Sequence, residues 1–181
     1  MPLRAEQPRD HDAVRAVHRG AFGEGHGSTV AGLVDALRRA DPAALSVVAE
    51  EDGEVVGHVM VSRALLDAPR RLVAVATLSP LAVVPARQRR GIGAALIRHA
   101  LREFDDRGVP LVFLEGDPAY YNRHGFRPAI EEGFRKPSLR IPDAGFQVAR
   151  LSGWEPWMTG TFVYPDTFWE LDCVGLRDPA A

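Results

Sequence analysis

A chain of 181 residues with 46% hydrophobic and 25% charged side chains has the composition of one ordinary globular domain, which excludes a disordered or fibrous protein. A formal net charge of -2 argues against neutralising a nucleic-acid backbone as the main task, so no nucleic-acid partner is expected and any anion site has to be local. The single Cys173 excludes an internal disulfide and a thiolate cluster for zinc, and suits a reducing cytoplasm.

The N-terminal "MPLRAEQPRDHD" is charged with no apolar core behind it, so it does not read as a secretory signal, and a cytoplasmic location is expected. "DHDAVRAVHRGAF" then places Val14, Val17 and Phe22 at nearly helical spacing behind Asp10, a residue of capping type. "STVAGLVDALRRAD" repeats the signal, with Ser28 as the cap and Val30, Leu33, Val34 and Leu37 on one face. Two β-branched runs around Asp52-Gly53 predict a hairpin. The long apolar run from Leu72 to Val84 predicts the next strand. It is interrupted by Thr77, Ser79 and prolines and falls short of the roughly 18 apolar residues of a membrane span, so no membrane role is expected.

From Ile92 the residues Leu96, Ile97, Ala100, Leu101 and Phe104 share one helical face, and Gly108 stands at the expected C-terminal cap. "PLVFLEG" follows as an apolar strand, and strand, helix, strand implies a parallel crossover. "DPAYYNRHGF" predicts a helix of about two turns, with Asp117 as cap, Pro118 in the first turn and Gly125 as stop. Beyond Phe126, "FQVARL" and "TGTFVYP" read as strands. No repeat, linker or low-complexity tract appears, so one domain over residues 1–181 is expected.

The segment "RQRRGIGAALIRHAL" joins the long strand to the best helix. A glycine turn at a helix start leaves amide N–H groups pointing together, with about half a positive charge from the helix dipole. Gly91 and Gly93 would let an oxyanion touch the backbone while Arg87, Arg89 and Arg90 raise the local potential. A bare Gly-x-Gly is equally well explained as a tight turn with solvated arginines. No Lys-Ser or Lys-Thr follows the glycines, and Leu96 stands where the dinucleotide fingerprint has its third glycine, which leaves a diphosphate bound mainly by amides.

Gln88-Arg89-Arg90-Gly91-Ile92-Gly93 resembles the Q/R-x-x-G-x-G/A signature of the GNAT superfamily of acyl-CoA-dependent N-acyltransferases, and follows the strand "LSPLAVVP" as that motif does. "YYNRHGF" (Tyr120 to Phe126) is similar to the family's tyrosine-bearing helix ending in Gly-Phe. "LSPLAVVPARQRRGIG" with "FLEGDPAYYNRHGFRPA" resembles the YhbS-type subgroup of predicted bacterial acetyltransferases in particular. The resemblance implies an α/β (α+β) fold: a mixed, mostly antiparallel sheet, helices on both faces, and a parallel strand pair splayed around the CoA site. It implies acetyl-CoA as co-substrate, with its pyrophosphate on the amides of Gln88, Arg89, Arg90, Gly91, Ile92, Gly93 and Ala94 and its pantetheine arm along Leu81, Ala82 and Val83. An amide-bearing arm adds to a strand edge by β-augmentation, and Pro80 and Pro85, each lacking an N–H, bracket that edge.

The implied reaction is N-acetyl transfer to an amine acceptor by direct attack, a small molecule more readily than a protein. Tyr121 matches the tyrosine the family uses as general acid toward the leaving thiolate; from the residues alone, Tyr120 and Tyr121 read equally as packing aromatics. An amide near Ala82 would polarise the carbonyl. Some relatives carry a glutamate base on the central strand, but "VATLSPLAV" has no carboxylate, which leaves Glu115, Glu24 and His26 as candidates. The six histidines show no ligand spacing, so no metal is expected; His58 would line the acceptor cleft, and Trp154, Trp157, Tyr164, Phe168 and Trp169 would build that cleft or cover the sheet. Many relatives dimerise, and the C-terminal strands offer a surface for a homodimer. The alternative is a non-catalytic acyl-CoA-binding sensor or interaction module, which the missing base favours; a nucleotide-binding protein is a third reading.

Overall fold

The computed structural model describes residues 2–177, apart from the side chain of Glu24. In chain order the elements are β1 (Leu3–Ala5), α1 (His11–Phe22), α2 (Glu24–Ala40), β2 (Leu45–Glu51), β3 (Glu54–Asp67), β4 (Leu72–Val83), α3 (Ile92–Asp106), β5 (Leu111–Glu115), α4 (Pro118–Tyr121), β6 (Arg127–Pro128), β7 (Phe134–Arg135), β8 (Phe146–Arg150), β9 (Gly160–Val163) and α5 (Asp166–Glu170). The strands hydrogen-bond in the order β1-β2-β3-β4-β5-β8-β6, with β9 pairing β3 and β7. Pairing is antiparallel except between β4 and β5 and in the short contact of β7 with β9. This is the mixed sheet the sequence predicts. The chain divides into two compact units, one of residues up to Ser62 with Leu78–Glu103, the other of Arg63–Thr77 with Phe104 onward.

In the first unit β2 and β3 form the predicted hairpin. Asp52 and Gly53 take φ of 53° and 82°, the left-handed pair a two-residue turn needs to match strand twist. Successive residues of β3 point to opposite faces. A Cβ on Gly57 would come within 2.9 Å of Ile92 and 3.2 Å of Leu96, so α3 lies over that face, while buried His58 meets His18 of α1 on the other. Helices therefore cover both faces. α3 buries Ile92, Leu96, Ile97 and Ala100, and the larger of these contribute about 1.5–3 kcal/mol each.

Two helix starts differ from expectation. Asp10 precedes α1, but its carboxylate accepts from the Gln7 amide at 2.8 Å and from Arg4 at 2.6 and 3.0 Å instead of capping α1. α2 begins at Glu24, so Ser28 lies inside the helix and is not its cap. The cause is packing: a Cβ on Gly27 would lie 2.6 Å from the Cα of Arg19, so this glycine lets α1 and α2 approach closely.

The second unit is built on β5. It pairs antiparallel with β8 along its whole length, Leu111 with Arg150 through Glu115 with Phe146. Its parallel ladder with β4 consists of Ala76 with Val112 and Thr77 with Phe113. Phe113 centres an aromatic core, with ring centroids 5.1 Å from Phe134, 5.6 Å from Phe146 and 4.6 Å from Phe162, and Tyr164 and Phe168 extend it. Trp157 lies under Arg70 and Arg71, and Trp154 under Arg150. These tail aromatics pack and cover, the second of the two roles read from the sequence.

The start of β9 depends on glycine. Gly160 has φ of 135°, and a Cβ there would run into the backbone carbonyl of Asp67. Gly160→Ala is expected to cost about 3 kcal/mol through overpacking and backbone strain. In thermal denaturation that is a melting point roughly 9 °C lower; an unshifted transition would contradict the packing described here.

Candidate active site

The turn after β4 is held at both ends. Val84 N–H donates to Val56 O at 2.9 Å, and the Gln88 side-chain amide donates to Val83 O at 3.1 Å. Gln88 thus braces the turn with its side chain. Arg89 and Gly91 both take positive φ, 60° and 85°, and α3 begins at Ile92. Gly91 O accepts from the Ala95 amide at 3.0 Å, which makes Gly91 the residue before the first helical turn. Among the described residues, the amides of Arg89, Arg90, Gly91, Ile92, Gly93 and Ala94 donate to no backbone carbonyl. A run of unpaired N–H groups at a helix N-terminus, next to left-handed residues, has the local geometry that suits an anion.

The structure refines the reason for the glycine. Among the described residues, no atom beyond its own chain neighbours lies within 4 Å of where a Gly91 Cβ would sit, so crowding by the protein does not require it; the positive φ does, and the open side faces outward. Arg89 adopts the same rare conformation with a full side chain, a strain that clusters at functional turns. The arginines are less free than the sequence implies. Arg87 Nε lies 2.6 Å and Arg90 Nη1 3.7 Å from Glu51 Oε2, so one carboxylate on β2 offsets part of their charge.

β4 continues from its two-pair ladder with β5 through the cis-bonded Pro80 to Val83. Leu81 and Val83 are half-buried and Ala82 is buried.

α4 forms as its signals predict: Asp117 Oδ1 accepts from the Ala119 amide at 2.8 Å, Pro118 opens the helix, a 3-10 turn (Asn122–His124) continues it, and Gly125 ends it at φ of 88°. Tyr121 is half-buried. Its ring lies against Gly116, where a Cβ would collide with it, and meets Phe126 and Tyr120 edge-on at 5.8 and 5.0 Å. Burial, with Tyr120 adding to it, pushes the Tyr121 phenol well above its usual range, so it stays protonated at neutral pH. Tyr120 is more exposed and packs on His124.

Gln147 of β8 escaped the sequence reading. It is buried, donates to Gly116 O at 3.0 Å, and with the Gly145 carbonyl, which accepts from the Gly116 amide at 2.9 Å, fixes the segment on which Tyr121 rests.

The base candidates fare differently. Glu115 accepts from Tyr164 Oη at 2.9 Å and from the Gly175 amide at 3.1 Å, and burial raises its pKa; it ties down the C-terminal segment. His26 is exposed, edge-on to Phe22 at 5.7 Å. The Glu24 side chain lies outside what the structure describes. His58 is fully buried and lines no open cleft. Cys173 is half-buried, and burial beside Asp172 and Glu115 keeps it a thiol.

Known proteins share both sequence and architecture with this chain. The family model described as "Acetyltransferase (GNAT) domain" matches residues 3–129. The uncharacterised N-acetyltransferase YjhQ of Escherichia coli K12 is 37% identical over 131 residues, 71% of each chain. The uncharacterised N-acetyltransferase YhbS of the same strain is 32% identical over 155 residues, 84% of this chain and 88% of its own. The crystal structure of E. coli YhbS in complex with CoA superposes with a TM-score of 0.80 at 29% identity, over 92% of this chain and 91% of that one. A GNAT acetyltransferase from Brucella melitensis, solved with acetyl-CoA, gives 0.73 at 34% identity, over 92% and 97%. With the glycine turn, the tyrosine helix and the mixed sheet all in place, this chain belongs to the GNAT family of acetyltransferases.

Proposed function

We propose that the chain, as a single domain in the cytoplasm, transfers the acetyl group of acetyl-CoA to a small-molecule amine by direct attack. The observation that carries this reading is the row of unpaired amides from Arg89 to Ala94 around a positive-φ Gly91. A diphosphate laid there satisfies donors that otherwise have only water, and the complexes of the YhbS and Brucella proteins support the same choice of ligand. Gln88 instead braces the turn, its amide donating to Pro85 O at 3.3 Å and its side chain to Val83 O, so the row of free donors starts at Arg89. The pantetheine arm runs along Leu81, Ala82 and Val83, which lie beyond the β4–β5 ladder.

The amine nitrogen attacks the thioester carbon, with the Ala82 amide as donor to the forming oxyanion. As the C–S bond breaks, Tyr121 gives its hydroxyl proton to sulfur, and the proton that the attacking nitrogen sheds on becoming an amide returns through water to the phenolate. Its raised pKa makes it a reluctant acid, so the transfer waits until sulfur carries nearly full charge.

Gly91→Asp places a carboxylate against the amide row and is expected to weaken acetyl-CoA binding at least 10-fold by calorimetry, with the fold retained. In the wild type, acetyl-CoA at 100 times its Kd should add about 2.7 kcal/mol of stability and ATP with magnesium none. Unchanged affinity in the variant would remove the pyrophosphate site.

The absence of a carboxylate from β4 and the engagement of Glu115 keep the acyl-CoA sensor as a second reading. CoA release across a panel of amines separates the two: tight binding without acetylated product favours the sensor.

A further inference from the structure

Four side chains form a continuous polar chain inside the first unit, and the transfer chemistry above uses none of them. Glu6 follows β1, Ser46 lies in β2, His58 in β3 and His18 in α1. Ser46 Oγ is 2.5 Å from Glu6 Oε2 and 2.8 Å from His58 Nε2, and His58 Nδ1 is 2.8 Å from His18 Nε2. Both imidazoles are fully buried, and the Glu6 side chain is 3% exposed. Arg38 of α2 closes the outer end, its Nη2 2.6 Å and Nε 3.2 Å from the Glu6 carboxylate, while its Nη1 reaches Asp35.

Chemistry fixes the direction of every proton. A carboxylate paired with a guanidinium only accepts, so the Ser46 hydroxyl proton points to Glu6. Ser46 Oγ then accepts from His58, which must be the Nε2–H tautomer, and the bare His58 Nδ1 accepts from His18 Nε2–H. His18 Nδ1 is left as a lone pair, buried and, among the described residues, without a hydrogen-bond partner. An orphaned acceptor at one end and a carboxylate at the other make a wire that takes protons in at His18. The groups facing it are Glu6, Arg38 and Asp35 at the outer end; at the inner end Phe22 lies parallel to His18 at 6.1 Å, with His26 beyond it.

We propose that this chain takes up the proton the acceptor ammonium must lose before attack, a role that rests on the transferase reading and supplies the base missing from β4. The ammonium N–H breaks and its proton, carried inward by water because His18 Nδ1 is itself buried, bonds to that nitrogen. The Nε2 proton of His18 moves to His58 Nδ1, the Nε2 proton of His58 to Ser46 Oγ, and the Ser46 proton to Glu6 Oε2. Both rings end neutral with their tautomers exchanged, Glu6 ends as the acid, and the amine keeps its electron pair for the thioester. Neutrality of the rings throughout is what burial demands. Run backwards after product release, the same shift returns the proton to water and resets the chain.

Proton–nitrogen correlation spectra of the unmodified protein at neutral pH should show His18 and His58 as neutral Nε2–H tautomers. An Nδ1–H His58 or a charged ring would overturn the relay without any variant. With an amine the wild type acetylates, Ser46→Ala interrupts the wire and should lower kcat about 10- to 100-fold at neutral pH with an unchanged KM for acetyl-CoA. The loss should shrink at alkaline pH, where the amine is already neutral, and Ser46→Thr should restore the rate. A folded Ser46→Ala protein that matches the wild type at every pH overturns the relay and leaves the transferase reading standing. A wild type that acetylates no amine in the panel overturns both.

Discussion

Tyr121→Phe is expected to lower kcat by about 100- to 1,000-fold while the Kd for acetyl-CoA changes by less than about 3-fold. The first figure is the usual worth of a positioned general acid, about 3–4 kcal/mol of barrier. The second follows from what the ring does in the ground state: it lies on Gly116 and meets Phe126 and Tyr120 edge-on, and phenylalanine keeps each of these contacts. Losing only the hydroxyl should therefore leave α4 in place. Steady-state rates with calorimetric binding test both halves, and equal turnover in variant and wild type would remove Tyr121 from the mechanism. Gln147→Leu offers a contrast. It keeps the phenol but removes the donor to the Gly116 carbonyl, so it should lower kcat through a misplaced ring and reduce stability as well.

Local signals account for what the sequence revealed of this arrangement. Asp52-Gly53 predicts its hairpin because few residue pairs tolerate two successive positive φ values. Gly108 ends α3 as predicted: its amide donates to Asp105 O at 2.9 Å and the Val109 amide to Phe104 O at 3.0 Å, the paired bonds that close a helix on a left-handed glycine. Asp117, Pro118 and Gly125 mark α4 in the same way.

What stayed hidden depends on partners distant in sequence. β1, β6 and β7 are too short to show a period, and each exists because a longer strand offers an edge. Ser28 read as the cap of α2 because the purpose of Gly27 before it, the close pass of α2 against Arg19, lies in another helix. The amide row was legible from Gly91 and its family motif, but the damping of Arg87 and Arg90 by Glu51 was not. Least visible was the buried chain. Glu6, His18, Ser46 and His58 share no motif, and only the stacking of β1, β2, β3 and α1 brings them together.

That buried pair of histidines also sets how the fold responds to acid. Burial lowers both His18 and His58 from 6.5 to about 3, with mutual repulsion adding to the shift at His18. Below the unfolded value the denatured chain binds two protons that the native state refuses, so stability falls as pH drops. The slope approaches about 3 kcal/mol per pH unit, and by about pH 4.5 the loss is on the order of several kcal/mol, comparable with the whole stability of many domains. Asp10 acts lower: held down to about 2 by Arg4, it contributes stability that is lost only as pH falls from 3.8 toward 2. The two windows are therefore separable in urea titrations at successive pH values. Steep loss should begin near pH 6, above the Asp10 window and opposed by Glu115, whose raised pKa makes its protonation stabilising, and His18→Phe should halve the histidine slope even though it also lowers stability at neutral pH. A profile flat from pH 6.5 to 5 would mean that these rings accept protons in the folded state, and the tautomer chain from His18 to Glu6 would fall with that result.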